Sequence, residues 1–409
     1  MKNKKRLTRR RLLQAGAALA IAPVANARGS VVAAQRARQS IYESLGLKHV
    51  INATGTVTNL GGSVMPPEVV AAWGEAARHF VNLIELQDRV GERIAKVIGV
   101  EAALVTTGAA GALQLGTAAV ITRGDRKKIV RLPDTTGMRN EVILQRAHHS
   151  CYDNQLTNVG VRLIDVESAA DVKRVVNERT ALMFFMNKDD AGGRIRRAEW
   201  ITLAREHRLP TLLDAAADVP PAERLSEYNR MGFDLVAFSG GKAMRGPNDT
   251  GLLLGRKELI DAAKLNTNPH CPSIGRGLKV SKEDMIAAMV TVERFVRLDH
   301  KAEIREWERR IGVIEAAVKN IASVQCERIV PPIANHVSHL ILTWDEKRVP
   351  IACERFTRAL MDGDAPIQIG RVPGTGERGV VISVFTLQTG EERVVAERVA
   401  GILRKAAGR

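Results

Sequence analysis

An α/β domain built on a mainly parallel sheet, followed by a smaller C-terminal α+β domain, is the fold this sequence predicts. Three observations predict it. Short apolar runs alternate with helix-patterned segments from about Ala102 to Leu254. Several of those runs end directly in small or polar residues, at the strand ends where ligands collect in such sheets. The 409 residues are too many for one small domain and suit two of ordinary size. The sequence divides into an N-terminal segment 1–27, a lead-in 28–45, a large domain 46–298 and a small domain 299–409.

The first segment reads as an address. Arg9, Arg10 and Arg11 precede an apolar run, Leu12 to Val24, and Ala25-Asn26-Ala27 supplies small residues for a peptidase. This pattern predicts a twin-arginine (Tat) export signal and a periplasmic or exported protein. The run is too short and too weakly apolar for a stable membrane span. Eight of the basic residues lie in the first 28 positions without an acid, so the formal charge of +16 falls to +8 for the remainder. With 4% aromatics, the body has neither the basic face nor the stacking platforms that nucleic-acid binding needs. The four cysteines, Cys151, Cys271, Cys326 and Cys353, form no CxxC pair, so no metal site is expected and each reads as a small buried residue.

The elements follow in order. Ile51 to Thr56 and Asn59 to Ser63 read as an apolar run with a backbone-rich loop. Pro66 to Ala77 and Leu83 to Ile98 read as helices. Ala102 to Val105 is a strand that runs through Thr106-Thr107-Gly108-Ala109-Ala110-Gly111 into a helix reaching Val120. Lys128 to Leu132, Glu141 to Gln145 and Val161 to Val166 read as strands. Ala169 to Glu178 follows as a helix, Ala181 to Met186 as a strand and Ala198 to His207 as a helix. Leu209 to Leu213, Leu235 to Phe238 and Gly251 to Leu254 are further strands. Two long helices, Lys282 to Leu298 and Glu303 to Asn320, join the domains. The small domain has strands at Val337 to Thr343, Ile367 to Ile369 and Val380 to Phe385. Its helices are Cys353 to Met361 and Glu391 to Ala407.

Lys242 is the centre of the functional reading. It sits just past an apolar strand in Ser239-Gly240-Gly241-Lys242-Ala243-Met244-Arg245-Gly246-Pro247, where glycines let the backbone come close to a ligand. A lysine so placed suits a Schiff base with pyridoxal phosphate. Asp214 ends another apolar strand 28 residues earlier and suits the ring nitrogen, since a buried carboxylate needs a cationic partner. The amides of Gly108, Ala109 and Ala110 open a helix and suit the phosphate, with Ser239 adding a hydroxyl. His148 or His149 suits the ring face, and Asn187 the ring oxygen. Arg371, after Ile367-Gln368-Ile369-Gly370, suits a substrate carboxylate, with Asn52 and Thr54 nearby in the same role.

These residues together resemble the selenocysteine synthase-like, L-seryl-tRNA(Sec) selenium transferase-like branch of the fold-type I pyridoxal phosphate enzymes. That branch includes the D-glucosaminate-6-phosphate ammonia-lyase-like proteins. The resemblance rests on Asn52-Ala53-Thr54-Gly55, Thr107-Gly108-Ala109-Ala110, Glu141 to Asp153, Asp214, Ser239-Gly240-Gly241-Lys242 with Arg245-Gly246-Pro247, and Ile369-Gly370-Arg371. It implies a homodimer or a larger assembly of dimers, with active sites at subunit contacts. It implies α-proton removal from a bound amino acid, loss of a β-substituent, and an aminoacrylate released as a 2-oxo acid and ammonia. Lys242 would both anchor the cofactor and carry the proton. The expected enzyme is a lyase on a small amino acid or amino sugar acid. A transferase or racemase on the same cofactor, and a catalytically silent binding protein on the same fold, are the alternatives. An export signal argues against a tRNA substrate, and the Tat machinery is the partner it implies.

Overall fold

The computed structural model describes residues 40–371 and 379–408. The expected signal at 1–27 lies outside the described residues. Contacts set Met1–His49 apart from a body at Val50–Arg409. The described part of the first unit holds one helical turn, α1 (Ile41–Ser44), closed by a reciprocal cap in which Ser40 Oγ takes the Glu43 N–H and the Glu43 carboxylate takes the Ser40 N–H.

The body begins with β1 (Ile51–Ala53), α2 (Pro67–Ala76) and α3 (Leu83–Ile98). The alternating region then runs β2 (Ala102–Thr107), α4 (Gly108–Thr122), α5 (Arg126–Ile129), β3 (Glu141–Gln145), α6 (Asp153–Thr157), β4 (Arg162–Val166) and α7 (Ala169–Val175). It continues through β5 (Thr180–Met186), α8 (Arg197–Glu206), β6 (Thr211–Asp214), α9 (Arg224–Met231), β7 (Leu235–Ser239), β8 (Thr250–Gly255) and α10 (Lys257–Leu265). Then come α11 (Lys282–Arg297) and α12 (His300–Val318), followed by β9 (Gln325–Ile329), β10 (His339–Thr343), α13 (Cys353–Met361), β11 (Ile367–Arg371), β12 (Val380–Ser383) and α14 (Glu391–Ala406).

The larger sheet has the order β2-β8-β7-β6-β5-β3-β4, and only β8 runs antiparallel to its neighbours. Strands β3 and β5 are buried along their whole length, as central strands covered on both faces must be. One face packs on α4, α6 and α10 through Leu113, Leu115, Leu156, Leu212 and Ile260. The other packs on α3, α8, α9 and α11 through Ile94, Trp200, Leu213, Tyr228 and Phe295. Helix α4 is buried on all sides from Gly111 to Thr122, which fits its apolar, alanine-rich sequence. The smaller sheet has the order β1-β11-β12-β10-β9 and rests on α12, α13 and α14 through Ile311, Phe356 and Val399.

Several expectations change. Lys128 to Leu132 is not a strand. Asp125 accepts the Lys127 N–H and starts α5, and the buried Ile129 and Leu132 are three residues apart, a helical spacing. The run Ile51 to Ala53 is a strand that pairs in parallel with β11. Strand β9 carries almost no burial signal because it is an exposed edge. Of the four cysteines, none in a disulfide, Cys353 alone is buried, so Cys151, Cys271 and Cys326 are surface residues instead of core.

Candidate active site

Strand ends converge as the sequence suggested. In register, Met186 of β5 lies beside Asp214 of β6, and Asp214 beside Ala237 of β7, which places Lys242 in the loop just beyond. Side chains alternate along β6. Leu212 belongs to the α4 core and Leu213 to the opposite core, so Asp214 points to the α4 side.

The Lys242 loop is held by its backbone. The Gly240 N–H donates to the Thr250 carbonyl and the Gly246 N–H to the Gly240 carbonyl, each at 2.8 Å. Ser63 Oγ donates to the Gly241 carbonyl at 2.8 Å, which brings the early small-residue loop onto this turn. A Cβ on Gly241 would lie 2.4 Å from the Asn248 Cα, so only glycine fits. Arg245 holds a left-handed φ of 63° and donates to the Phe385 carbonyl at 2.8 Å. The lysine turn is thereby tied to the smaller sheet.

Two groups at the centre are driven toward neutrality. Burial pushes the Asp214 carboxyl up to about 6, against the opposing pull of the Ala216 N–H and the Lys242 charge. Burial likewise pushes the Lys242 amine below its ordinary value, opposed by Asp214 and Asp218. Among the described residues Lys242 Nζ has no hydrogen bond or direct ion pair. A half-buried amine with no partner, its basicity lowered by desolvation, is suited to attack a carbonyl.

The start of α4 is open. Thr107 at its N-cap makes no side-chain cap, and its hydroxyl is buried without a partner. The opening amides of Gly108, Ala109 and Ala110 are therefore left for an anion. A Cβ on Gly251 of β8 would lie 2.2 Å from the Gly108 carbonyl carbon, so the close seat of this turn requires glycine there. Ser239 is half-buried at the end of β7, and its hydroxyl has no partner among the described residues.

Other expected residues fall elsewhere. His148 is fully buried, takes the Met186 N–H on Nδ1 at 3.3 Å, and meets Phe185 edge-on with centroids 4.3 Å apart. Phe185 belongs to the core opposite Asp214, so the structure does not bring His148 to the Asp214 side. Burial pushes its imidazole down to about 4. His149 is bound by Asp153 at 2.5 Å and Asp165 at 2.7 Å, which raise its pKa. The nitrogens of both histidines are engaged by protein partners, which fixes how each ring is turned. The Asn52 side chain is used within its own turn, donating to the Gly55 carbonyl and taking the Thr54 N–H. Thr54 follows it at the end of β1. The backbone of Arg371 ends β11, while its side chain lies outside what is described.

Sequence reasoning missed a buried polar group behind Asp214. Asn187 donates through Nδ2 to Asp218 at 2.5 Å and to the Tyr228 hydroxyl at 3.0 Å, and Tyr228 donates to Asp218 at 3.0 Å. Asn187 Oδ1 is buried without a partner. Asp218 sits four residues after Asp214, and that spacing was the available signal. Lys188 follows Asn187, half exposed, and its charge reaches Lys242 and Asp214.

The residues present fit pyridoxal phosphate: a half-buried amine of lowered basicity, a buried carboxyl lacking an ion pair, an uncapped helix start and two orphaned polar atoms. Fold and site together define a fold-type I pyridoxal phosphate enzyme, of the lyase or transferase kind. The L-seryl-tRNA selenium transferase family matches residues 50–338, and the chain belongs to that family. A D-glucosaminate-6-phosphate ammonia lyase of Salmonella typhimurium is 33% identical over 267 residues, 63% of this chain and 70% of the relative. A 5'-C-glycyluridine monooxygenase-decarboxylase of a Streptomyces species is 27% identical, over 78% of this chain and 80% of the relative. The solved structure of a D-glucosaminate-6-phosphate ammonia-lyase superposes with a TM-score of 0.76 at 26% identity, covering 90% of this chain and 99% of that one.

Proposed function

We propose that this protein is a lyase that removes the β-substituent of a small amino acid or amino sugar acid and releases a 2-oxo acid and ammonia. The single observation that carries the chemistry is the half-buried, unpartnered Lys242 beside the buried Asp214, whose carboxyl is pushed up to about 6. The lyase direction draws its support from the ammonia-lyase relative. When bound, pyridoxal phosphate supplies an electron sink for the pair left by a broken Cα–H bond.

The chain's own residues do the rest. Lys242 Nζ is the amine that would hold the cofactor's carbonyl carbon. Released from that carbon, Nζ would be the base placed to take the Cα proton, and desolvation, which lowers its basicity, would ease the return of that proton. Asp214 would hold a proton on the ring nitrogen, and its burial keeps water from competing. The opening amides of α4 would fix the phosphate, with Thr107 and Ser239 hydroxyls beside them. Lys188, half exposed at the same strand ends and 3.6 Å from the Asp189 carboxylate, is a cation that suits a substrate anion in exchange for that loose pair. A second reading, β-replacement, is favoured by the description of the matching family.

Two finer points belong to the proposal. The segment from Val64 to Ile84 exposes Val64, Val70, Trp73, Phe80, Val81 and Ile84, which supports a homodimer or an assembly of dimers. Arg9, Arg10 and Arg11 with Ala25-Asn26-Ala27 support export by the Tat route to the periplasm. Among the described residues no helix is long and apolar enough to cross a membrane.

A panel of D- and L-amino acids and amino sugar acids tests the function, scored for 2-oxo acid and ammonia. Stoichiometric release of both from at least one member is expected. A panel that yields only solvent exchange of the α-proton would replace the lyase with a racemase.

A further inference from the structure

Asn187 was expected to hydrogen-bond the ring oxygen. The hydrogen bonds around it bear on the polarity of that contact. Nδ2 lies within hydrogen-bond reach of Asp218 Oδ2, the closer partner, and of the Tyr228 oxygen. Tyr228 spends its own proton on the same Asp218 Oδ2. Two donors converge on that one oxygen, so it accepts whether or not the carboxyl carries a proton elsewhere. Turning the amide over would set Asn187 Oδ1 against Asp218 Oδ2 at 2.5 Å, acceptor against acceptor. The group left over is Asn187 Oδ1, fully buried and without a partner just past the strand position level with Asp214. A buried orphan acceptor is costly and asks for a donor.

We propose that Asp218 and Tyr228 are positioning residues that lock Asn187 so that it presents an acceptor, and that its partner is an O–H or N–H donor on the bound ligand. The inference rests on the cofactor reading above. Two sources share that donor chemistry, the cofactor's ring hydroxyl and the substrate's amine. The network itself is braced from outside. Arg224 donates to the Asp218 carbonyl at 2.8 Å and to the carbonyls of Ile333 and Pro332 at 2.9 Å, and Arg197 lies over the Tyr228 ring at 5.8 Å. These contacts hold the Asp218 backbone and the Tyr228 ring from behind.

Asp218→Asn tests this directly, because an amide at 218 offers an N–H to Asn187 Oδ1 and permits the reversed orientation. Tyr228→Phe removes a network member but keeps the Asp218 acceptor and hence the polarity. The readout is the visible absorbance of protein reconstituted with pyridoxal phosphate, as the ratio of its two ring-tautomer bands, followed by titration with an amino acid. If the donor is on the cofactor, Asp218→Asn changes the band ratio by about fivefold, the population change one net buried hydrogen bond commands, before substrate is added. If it is on the substrate, the ratio holds and the amino acid binds about fivefold more weakly. In both cases Tyr228→Phe stays within about twofold of wild type, since it loses packing and not polarity. Asn187→Leu, which lacks the acceptor, should reproduce the Asp218→Asn result and covers a failure of that variant to fold. Equal effects of Asp218→Asn and Tyr228→Phe, or no effect of either Asp218→Asn or Asn187→Leu, would overturn the inference. A wild type with no lysine-dependent absorbance would instead sink the cofactor reading, and this inference with it.

Discussion

Replacing Asp214 by Asn in the cofactor-free protein should stabilise it at pH 8. The carboxyl is fully enclosed, and burial lifts it from an ordinary 3.8 to about 6. That rise corresponds to about 3 kcal/mol. The sign follows from linkage: a carboxyl raised in the fold binds its proton more tightly there than in the unfolded chain. Its stabilising contribution is present below about pH 4, falls as pH rises, and is lost above about pH 6. Asn keeps an oxygen for the Ala216 N–H, which Asp214 takes at 2.9 Å, and never ionises. The cofactor-free variant should therefore melt on the order of 5 °C above wild type at pH 8 and level with it at pH 4. Added pyridoxal phosphate should reverse the order, because only the carboxylate gains a cationic partner. Melting curves by fluorescence at the two pH values, with and without cofactor, decide it. A variant that melts below wild type at pH 8 without cofactor would refute the argument, as would an equal gain at both pH values.

Three further outcomes follow from particular contacts. His148 is buried with its imidazole pushed down to about 4, so its contribution is present above pH 6.5 and lost as pH falls toward 4. Urea midpoints should show His148→Gln losing about 3 kcal/mol less than wild type over that range; parallel acid limbs would deny the buried neutral ring. Gly251→Ala forces a methyl to within 2.2 Å of the Gly108 carbonyl carbon, and should cost about 1–3 kcal/mol and weaken cofactor binding, whereas Gly277→Ala meets open space and should do neither. Phe80 is fully exposed, and Phe80→Asp should lower the mass seen by sedimentation to that of one chain; a wild type that already sediments as one chain would remove the proposed assembly.

Much of the fold was legible because β3 and β5 are apolar on both faces and glycine turns mark the strand ends. That Lys242 and Asp214 would meet was legible because each stands just at or past the end of an apolar strand of one parallel sheet. The misreadings have physical causes. Ile129 and Leu132 look like a strand in composition and like a helix in spacing, and spacing governed. Strand β9 is an edge whose side chains face water, so no alternation announced it. The direction of a side chain just past a strand is set by the turn that follows. His148 therefore turned toward Phe185, and Asn187 toward Asp218, with nothing in the local sequence to say so. Tyr228 reaches Asp218 from α9, ten residues on, and only the folded chain brings them together.

The claim beneath all of this is that Lys242 holds the cofactor. Protein loaded with pyridoxal phosphate, reduced with borohydride and digested, answers it by peptide mass. The account predicts the cofactor's mass on the peptide carrying Lys242, and unlabelled peptides with no visible absorbance in Lys242→Ala. Label on another lysine, Lys188 above all, or undiminished absorbance in Lys242→Ala, would contradict it.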